Sequence, residues 1–220
     1  MSFFSNFSSD HCPGTITGNP LNGLCEKVCI QAEKIFDAGI IQTRLENYPI
    51  ALSNPEPANP TYPLTFISAR SLATEGTVTN LSVDQQNDSQ CARVQCTITC
   101  PLEVVYLDAN GVEGRATSAI VLNEDVLMYV PPASVMPFTV TAVCSCVSPE
   151  GTFNTTTNSF NIGACLTLIL KVAMQVELLV PSYGYCAIPP AQEYSQEVCS
   201  GFFELPLYPQ GRSCTRRTNS

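Results

Sequence analysis

Twelve cysteines are the residues of this 220-residue chain whose type and spacing could do chemistry. Cys96 and Cys100 lie four apart, and Cys144 and Cys146 lie two apart, in segments where apolar and small polar residues alternate as in a strand. Each pair therefore points to one face of its strand, where same-face neighbours two positions apart sit roughly 6.5–7 Å from each other. Because their Cβ vectors run parallel, the members of a pair cannot easily bond each other. Each thiol should find its partner on another strand, another segment, another chain or a metal ion.

Disulfides, within or between chains, are the chemistry that this cysteine content favours. The cysteines of the predicted strands could pair within one chain, whereas those near the two ends lie in or near predicted arms that could link a neighbouring copy. The candidate cross-linking residues are Cys12, Cys25, Cys29, Cys91, Cys96, Cys100, Cys144, Cys146, Cys165, Cys186, Cys199 and Cys214. Two alternatives stay open. One is structural zinc, although the spaced pairs lack the turn residues of a zinc knuckle; the other is buried thiols that pack as small hydrophobic groups.

Catalysis is not expected. The one histidine, His11, lies in a predicted arm, so no Ser/His/Asp or Cys/His arrangement with a structured histidine can be assembled. Glu124 and Asp125 are adjacent and should face opposite sides of a strand. No enzyme activity, cofactor or metal site is predicted.

The charge balance argues against two classes of partner. A net charge of −9 disfavours nucleic acid, and the basic cluster of Arg212, Arg216 and Arg217 is interpreted as a solvated tail. The longest apolar run, Ala164 to Val180, contains Lys171 and other polar residues, so no membrane span is expected. The opening residues lack the basic and apolar regions of a signal peptide, which is unusual for a cysteine-rich chain.

The stretch from Cys91 to Pro131 predicts the fold. Two arms rich in β-branched residues flank Asn110-Gly111, a strong signal for a type I′ hairpin turn. Alternation along Ala164 to Val180 should turn the set from Leu166 to Leu178 towards the core. The predicted fold is mainly β, an antiparallel β-sandwich with flexible cysteine-bearing arms at both ends.

The predicted boundaries are an N-terminal arm over residues 1–22, a β-sandwich domain over 23–181 and a Pro- and Cys-bearing tail over 182–220. The first arm is either disordered or ordered only against a neighbouring subunit. The segment from Asn22 to Gly39 fits a short helix or a strand, and a strand is favoured over Val28–Phe36. Pro149-Glu150-Gly151 predicts a turn, followed by an exposed edge strand over Thr152–Ile162.

Four features of the sequence carry a family resemblance. The stretch CEKVCIQAEKIFDAGIIQTRLE, which starts at Cys25, resembles the opening of clostridial spore-surface proteins. The run VVYLDANG from Val104, the MYVP sequence that ends at Pro131 and the later apolar strand resemble a SPOCS-type β domain. The chain is thus similar, over roughly residues 24–181, to the cysteine-rich exosporium and spore-coat proteins of clostridia.

The resemblance implies a self-assembling structural subunit of a spore surface layer, reinforced by disulfides between and within subunits. It implies synthesis in the mother-cell cytoplasm without a signal peptide, location in the exosporium or coat, and partners that are copies of the chain and other spore-coat proteins. No catalytic residues transfer from such a family. The alternative is a subunit of an adhesive surface appendage or fibre, built by strand donation; a zinc-bound regulator is the third hypothesis.

Overall fold

The structure is a computed structural model that describes residues 16, 18–85 and 91–188. Within these residues the chain is all β and antiparallel, with no helix, so no helix there is long and apolar enough to cross a membrane. The strands are β1 Glu26–Ala51, β2 Ser53–Glu56, β3 Thr65–Ser71, β4 Glu75–Gln85, β5 Cys91–Leu107, β6 Glu113–Tyr129, β7 Thr139–Asn154 and β8 Ser159–Ser182. The mainly-β prediction is confirmed, and the eight-stranded antiparallel sheet is consistent with the predicted sandwich.

The strands follow the order β1-β8-β7-β3-β5-β6-β2. β4 also pairs with both β5 and β7, so β3 and β4 follow one another in the space between these two long strands. β5 and β6 form the predicted central hairpin, with an uninterrupted register from Cys91 opposite Tyr129 to Leu107 opposite Glu113. This long hairpin and the β7–β8 hairpin set the positions of the strand-borne cysteines.

The turn of the central hairpin differs from the predicted type I′ turn. Gly111 has a φ of 78°, but Asn110 does not have a positive φ, so only one of the two residues adopts the left-handed region. The amide of Gly111 donates to the Asp108 carbonyl at 2.9 Å, as in a type I turn followed by a left-handed glycine. The Asp108 carboxylate also accepts from the amides of Asn110 (2.8 Å) and Val112 (2.9 Å). This carboxylate stabilises the longer turn, which is why the type I′ prediction was wrong.

The core follows the period of two along the long strands. Even-numbered residues of β5, such as Leu102, Val104 and Tyr106, are fully buried while their odd-numbered neighbours are not. On β8 the residues from Leu166 to Val172 are buried on the predicted face. Beyond Val172 the exposure of the apolar set rises, and Leu178 is 40% exposed. The predicted core face is thus confirmed for the first part of this strand only.

The turn predicted at Pro149-Glu150-Gly151 is wrong. β7 runs through these residues to Asn154, with an irregular register between Val147 and Glu150. Pro149 fits there because a bulge position does not require the ladder hydrogen bond that proline cannot donate. The hairpin turn instead follows Asn154, whose Oδ1 accepts from the amide of Thr156 at 3.0 Å.

The exposed edge strand predicted over Thr152–Ile162 is wrong as well. The segment contains the β7–β8 turn, and Phe160 and Ile162 are fully buried beyond it. Phe160 makes edge-on contacts with the rings of Phe66 and Phe153, with ring centroids 5.3 Å apart in each case. These aromatic contacts bury the start of β8, although the neighbouring Thr- and Asn-rich residues suggest an exposed strand.

The chain divides into two compact units. One comprises residues 33–176 and contains the core described above. The other comprises residues 1–32 and 177–220, of which the structure describes 16, 18–32 and 177–188. In this second unit the amide of Cys25 donates to the Ser182 carbonyl at 2.9 Å, and the Tyr183 hydroxyl donates to the Pro20 carbonyl.

The strand interpretation of Val28–Phe36 is confirmed, and the helix alternative is wrong. The predicted arms lie mostly outside the described residues, and so do His11, the basic cluster near residue 216, and Cys12, Cys199 and Cys214. The boundaries at residues 22 and 181 therefore stay predictions.

Candidate functional site

Four cysteines of the central strands lie in the core. Cys96 and Cys100 on β5, and Cys144 and Cys146 on β7, are all at most 4% exposed. Each pair occupies alternate inward positions of its strand, which confirms the prediction that both members of a pair share a face. These side chains therefore belong to the apolar interior of residues 33–176.

Strands β5 and β7 approach each other at the segment between the end of β3 and the start of β4. Leu72 donates its amide to the Pro101 carbonyl on the β5 side at 2.9 Å. On the β7 side, the amide of Cys144 donates to the Thr74 carbonyl at 2.8 Å. The segment between β3 and β4 thus bridges β5 and β7 without forming a strand of its own.

The Ser71 hydroxyl occupies the centre of this junction. It accepts a hydrogen bond from the amide of Cys146 at 2.5 Å, and it lies 3.5 Å from the carbonyl oxygen of the same residue. It also lies 3.9 Å from the Cys100 sulfur. The hydroxyl satisfies a buried backbone donor of β7 at the point where β3 stops, so Ser71 is part of the thiol cluster.

Two of the buried thiols lie close to each other. The Cys100 thiol of β5 and the Cys144 thiol of β7 lie close enough for each to shift the pKa of the other, so the cluster spans the two strands. The Cys144 sulfur would also lie 3.4 Å from a Cβ at Gly76, which shows how closely β4 packs over it. Of the sequence-predicted cysteines, these two and Cys146 are the ones that the core brings together.

Burial keeps these thiols protonated. It raises the pKa of Cys144 to about 12, with the neighbouring Cys100 thiol adding to the rise, and it raises the pKa of Cys146 to about 11. Burial also raises the pKa values of Cys96 and Cys100. Since the thiolate is the nucleophile in disulfide exchange, the four core cysteines are poorly reactive at neutral pH. They pack as small hydrophobic residues, the alternative that sequence left open.

The other cysteines of the described part of the chain are exposed. They are Cys25, Cys29, Cys91, Cys165 and Cys186. Cys165 lies on β8 opposite Val147, which is 58% exposed, and it points away from the core face that holds Leu166. Cys29 lies on β1 beside the half-buried Val28 and the exposed Ile30. The nine cysteines of the described residues thus separate into a protected set in the core and an accessible set on the surface.

The outer face of β4, β5 and β6 carries a polar network that sequence reasoning missed. The Arg93 guanidinium donates to both carboxylate oxygens of Asp125, at 2.8 and 2.5 Å, and Gln95 donates to the same carboxylate at 3.0 Å. The hydrogen bonds from Arg93 hold the pKa of Asp125 below its usual range. Thr97 extends the network by donating to the Asn123 side chain at 2.9 Å. The charges of Arg93 and Asp125 neutralise each other within this hydrogen-bonded surface.

A second ion-pair group lies further along β5. The Arg70 guanidinium donates to Glu103 at 2.8 Å, and Arg115 lies 3.6 Å from the other oxygen of the same carboxylate. The hydrogen bond from Arg70 lowers the pKa of Glu103. The signal that could have revealed both groups is opposite charge on neighbouring strands, but reading it requires the register of the sheet.

Glu124 and Asp125 face opposite sides, as predicted. Glu124 lies opposite Cys96 on the inner side, where burial raises the pKa of its carboxyl group, while Asp125 belongs to the outer network.

Among the described residues, no three Cys, His, Asp or Glu side chains are grouped so that they could hold a metal ion. No protein family, no curated protein and no solved structure matches the chain.

Proposed function

We propose that this chain is a structural subunit that assembles with copies of itself into a spore surface layer, an exosporium or coat lattice, and that disulfides then reinforce the assembly. The observation that carries the proposal is the separation of the cysteines. The thiols of β5 and β7 are buried and held protonated, whereas Cys29 and Cys165 are exposed on long strands. Disulfides between copies would therefore form at surface cysteines and leave the core intact.

The surface chemistry supports an assembly role. Several charged side chains of the outer sheet face pair with one another, as Arg93 does with Asp125 and Arg70 does with Glu103. Large apolar side chains are exposed elsewhere, including Leu127 at 74% and Leu179 at 69%. Exposed apolar side chains favour contact with another protein surface. The spore location rests on the family resemblance of the Cys25 and Val104 motifs.

A second candidate is a surface appendage or fibre assembled by strand donation. The observation that favours it is the end position of β1 in the strand order, since an end strand can accept an added strand. The two candidates differ in what residues 1–22 would do. A fibre built by donated arms should fall apart when residues 1–22 are deleted, whereas a lattice held by contacts between folded domains should persist.

The test is to concentrate the purified chain under reducing and oxidising conditions. We expect the oxidised material to form assemblies that are visible by electron microscopy and that resist heat and detergent until a reductant is added. A matched pair of variants identifies which cysteines form the disulfides between copies. Cys29→Ser with Cys165→Ser should weaken the heat-stable ladder on a non-reducing gel, whereas Cys96→Ala should leave it unchanged. A chain that stays monomeric at high concentration under oxidising conditions would rule the proposal out.

A further inference from the structure

Over its first residues, β1 has one backbone edge that does not pair with another strand of the described part of the chain. In the described sheet its one hydrogen-bonded neighbour is β8, because β1 is the end strand of the order. Cys25, directly before β1, donates its amide to Ser182 of β8, so the backbone groups of odd-numbered residues face β8. By the period of two, the N–H and C=O groups of even-numbered residues from Glu26 to Lys34 point the other way. No described strand pairs with this outer edge.

The charges along this edge are self-complementary. Glu26 and Lys27 are followed seven residues later by Glu33 and Lys34, with Ile30 at the centre. If the same segment of a second copy lies antiparallel to it and centred on Ile30, Glu26 faces Lys34 and Lys27 faces Glu33. Two-fold symmetry repeats both pairs, giving four opposite-charge pairs. Registers centred on Cys29 or Gln31 bring no opposite charges face to face, and a register centred on Ala32 brings together only Lys27 and Asp37, so of these registers the one centred on Ile30 forms the most opposite-charge pairs.

Backbone and side-chain patterns agree with this register. Ile30 is even-numbered, so its outward N–H and C=O groups meet those of Ile30 in the other copy as a hydrogen-bonded pair. Val28 lies opposite Ala32 on the same face, beside Ile30, which is 40% exposed. The charged residues flank this apolar centre, as at the rim of a small interface. Neither Lys27 nor Glu33 forms an ion pair within the described chain, and both are exposed.

We propose that the outer edge of β1, residues Glu26 to Lys34, is an interaction surface for the same edge of a second copy, in an antiparallel two-fold pairing centred on Ile30. The proposal rests on the self-assembly proposed above and names the contact that would begin it. An unpaired edge strand is a template for adding another strand. An isologous contact of this kind is self-complementary, as the charge pattern requires.

Charge reversal tests the register. Lys27→Glu places two like-charge pairs across the contact, and we expect the dimer dissociation constant to rise about tenfold. Glu33→Lys should do the same. The double variant Lys27→Glu/Glu33→Lys restores opposite charges and should return the constant to the wild-type value. Glu113→Lys, an exposed charge at the start of β6, is the matched control. Sedimentation equilibrium with a reductant present measures the non-covalent contact alone.

Cross-linking tests the same register independently. In the proposed pairing, Cys29 of one copy faces Gln31 of the other in a non-hydrogen-bonded pair, where Cα atoms are about 4.5 Å apart. A Gln31→Cys/Cys29→Ser variant mixed with wild-type chain should therefore form a mixed disulfide between position 31 and the native Cys29. Oxidised glutathione serves as the oxidant, and each new disulfide releases two molecules of reduced glutathione. Ala32→Cys/Cys29→Ser places its thiol on the opposite face and should not form this bridge.

The outcomes separate the two proposals. Restoration by the double charge reversal, together with the position 31–Cys29 bridge identified by mass spectrometry, supports the β1 contact. Self-association that is insensitive to all the charge variants, or a chain that is monomeric when reduced but assembles when oxidised, overturns the β1 contact and leaves the assembly role in place. A chain that is monomeric under both conditions overturns both.

Discussion

Removing one hydroxyl tests whether the thiol cluster is a packed junction. Ser71→Ala deletes the acceptor of the Cys146 amide, which lies 2.5 Å away, in a region where Cys146 is 1% exposed. Water cannot replace the lost hydroxyl without opening the core. The free energy of unfolding should therefore fall by about the cost of an unsatisfied buried donor, roughly 1–3 kcal/mol. The 3.9 Å contact of the hydroxyl with the Cys100 sulfur adds little, because sulfur is a weak hydrogen-bonding atom.

Urea unfolding with a reductant present measures this cost. With a denaturant slope of about 2 kcal/mol/M, a loss of about 2 kcal/mol lowers the midpoint by about 1 M. Ser118→Ala is the matched control, because Ser118 donates at 2.8 Å to the carbonyl of Ala51, an exposed residue that water can serve instead. A midpoint for Ser71→Ala that equals the wild type, or a shift no larger than that of Ser118→Ala, would refute the described junction between β5 and β7.

Three further predictions concern packing, acid stability and thiol access. Gly114→Ala would place a Cβ 2.6 Å from the Tyr106 ring and should cost about 1–3 kcal/mol in urea unfolding, whereas Gly39→Ala, with nothing within 4 Å, should cost far less. Arg93 lowers the pKa of Asp125, so the ion pair stabilises the fold above the unfolded pKa of about 4, and this stabilisation is lost as pH falls through the lowered value. The difference in the free energy of unfolding between wild type and Asp125→Asn should therefore shrink in that pH window. A difference that stays constant with pH would contradict the ion pair. In the reduced folded chain the four core thiols should resist iodoacetamide at pH 8 and react once urea unfolds it, as peptide mass spectrometry can follow; equal labelling of core and surface thiols would contradict their burial.

Local periodicity made much of the fold predictable. Alternation in the segments around Cys96 and Cys144 placed each cysteine pair on one strand face, and the central hairpin was evident from its two β-branched arms. These features depend on neighbours along the chain, which sequence displays directly. The wrong turn at Pro149 shows the limit of such reasoning, because a proline in a bulge has the same sequence signature as a proline in a turn.

The cluster itself could not be predicted in this way. The proximity of Cys100 to Cys144 depends on β3 ending at Ser71, and on β4 beginning just beyond, between two strands that are distant in sequence. The ion pair of Arg93 with Asp125 likewise depends on the register of β5 with β6. Strand order and register are non-local, so the sequence indicated which residues could react but not which of them the fold protects.

The most direct test of the central claim is to map the disulfides of oxidised assemblies by mass spectrometry of non-reduced peptides, with mixed isotope-labelled and unlabelled chains to distinguish bridges between copies from bridges within one. We predict that bridges between copies involve surface cysteines such as Cys29 and Cys165 and exclude the core set of β5 and β7. Bridges between copies through Cys144 or Cys146, or assemblies joined by no bridge between copies at all, would contradict the account.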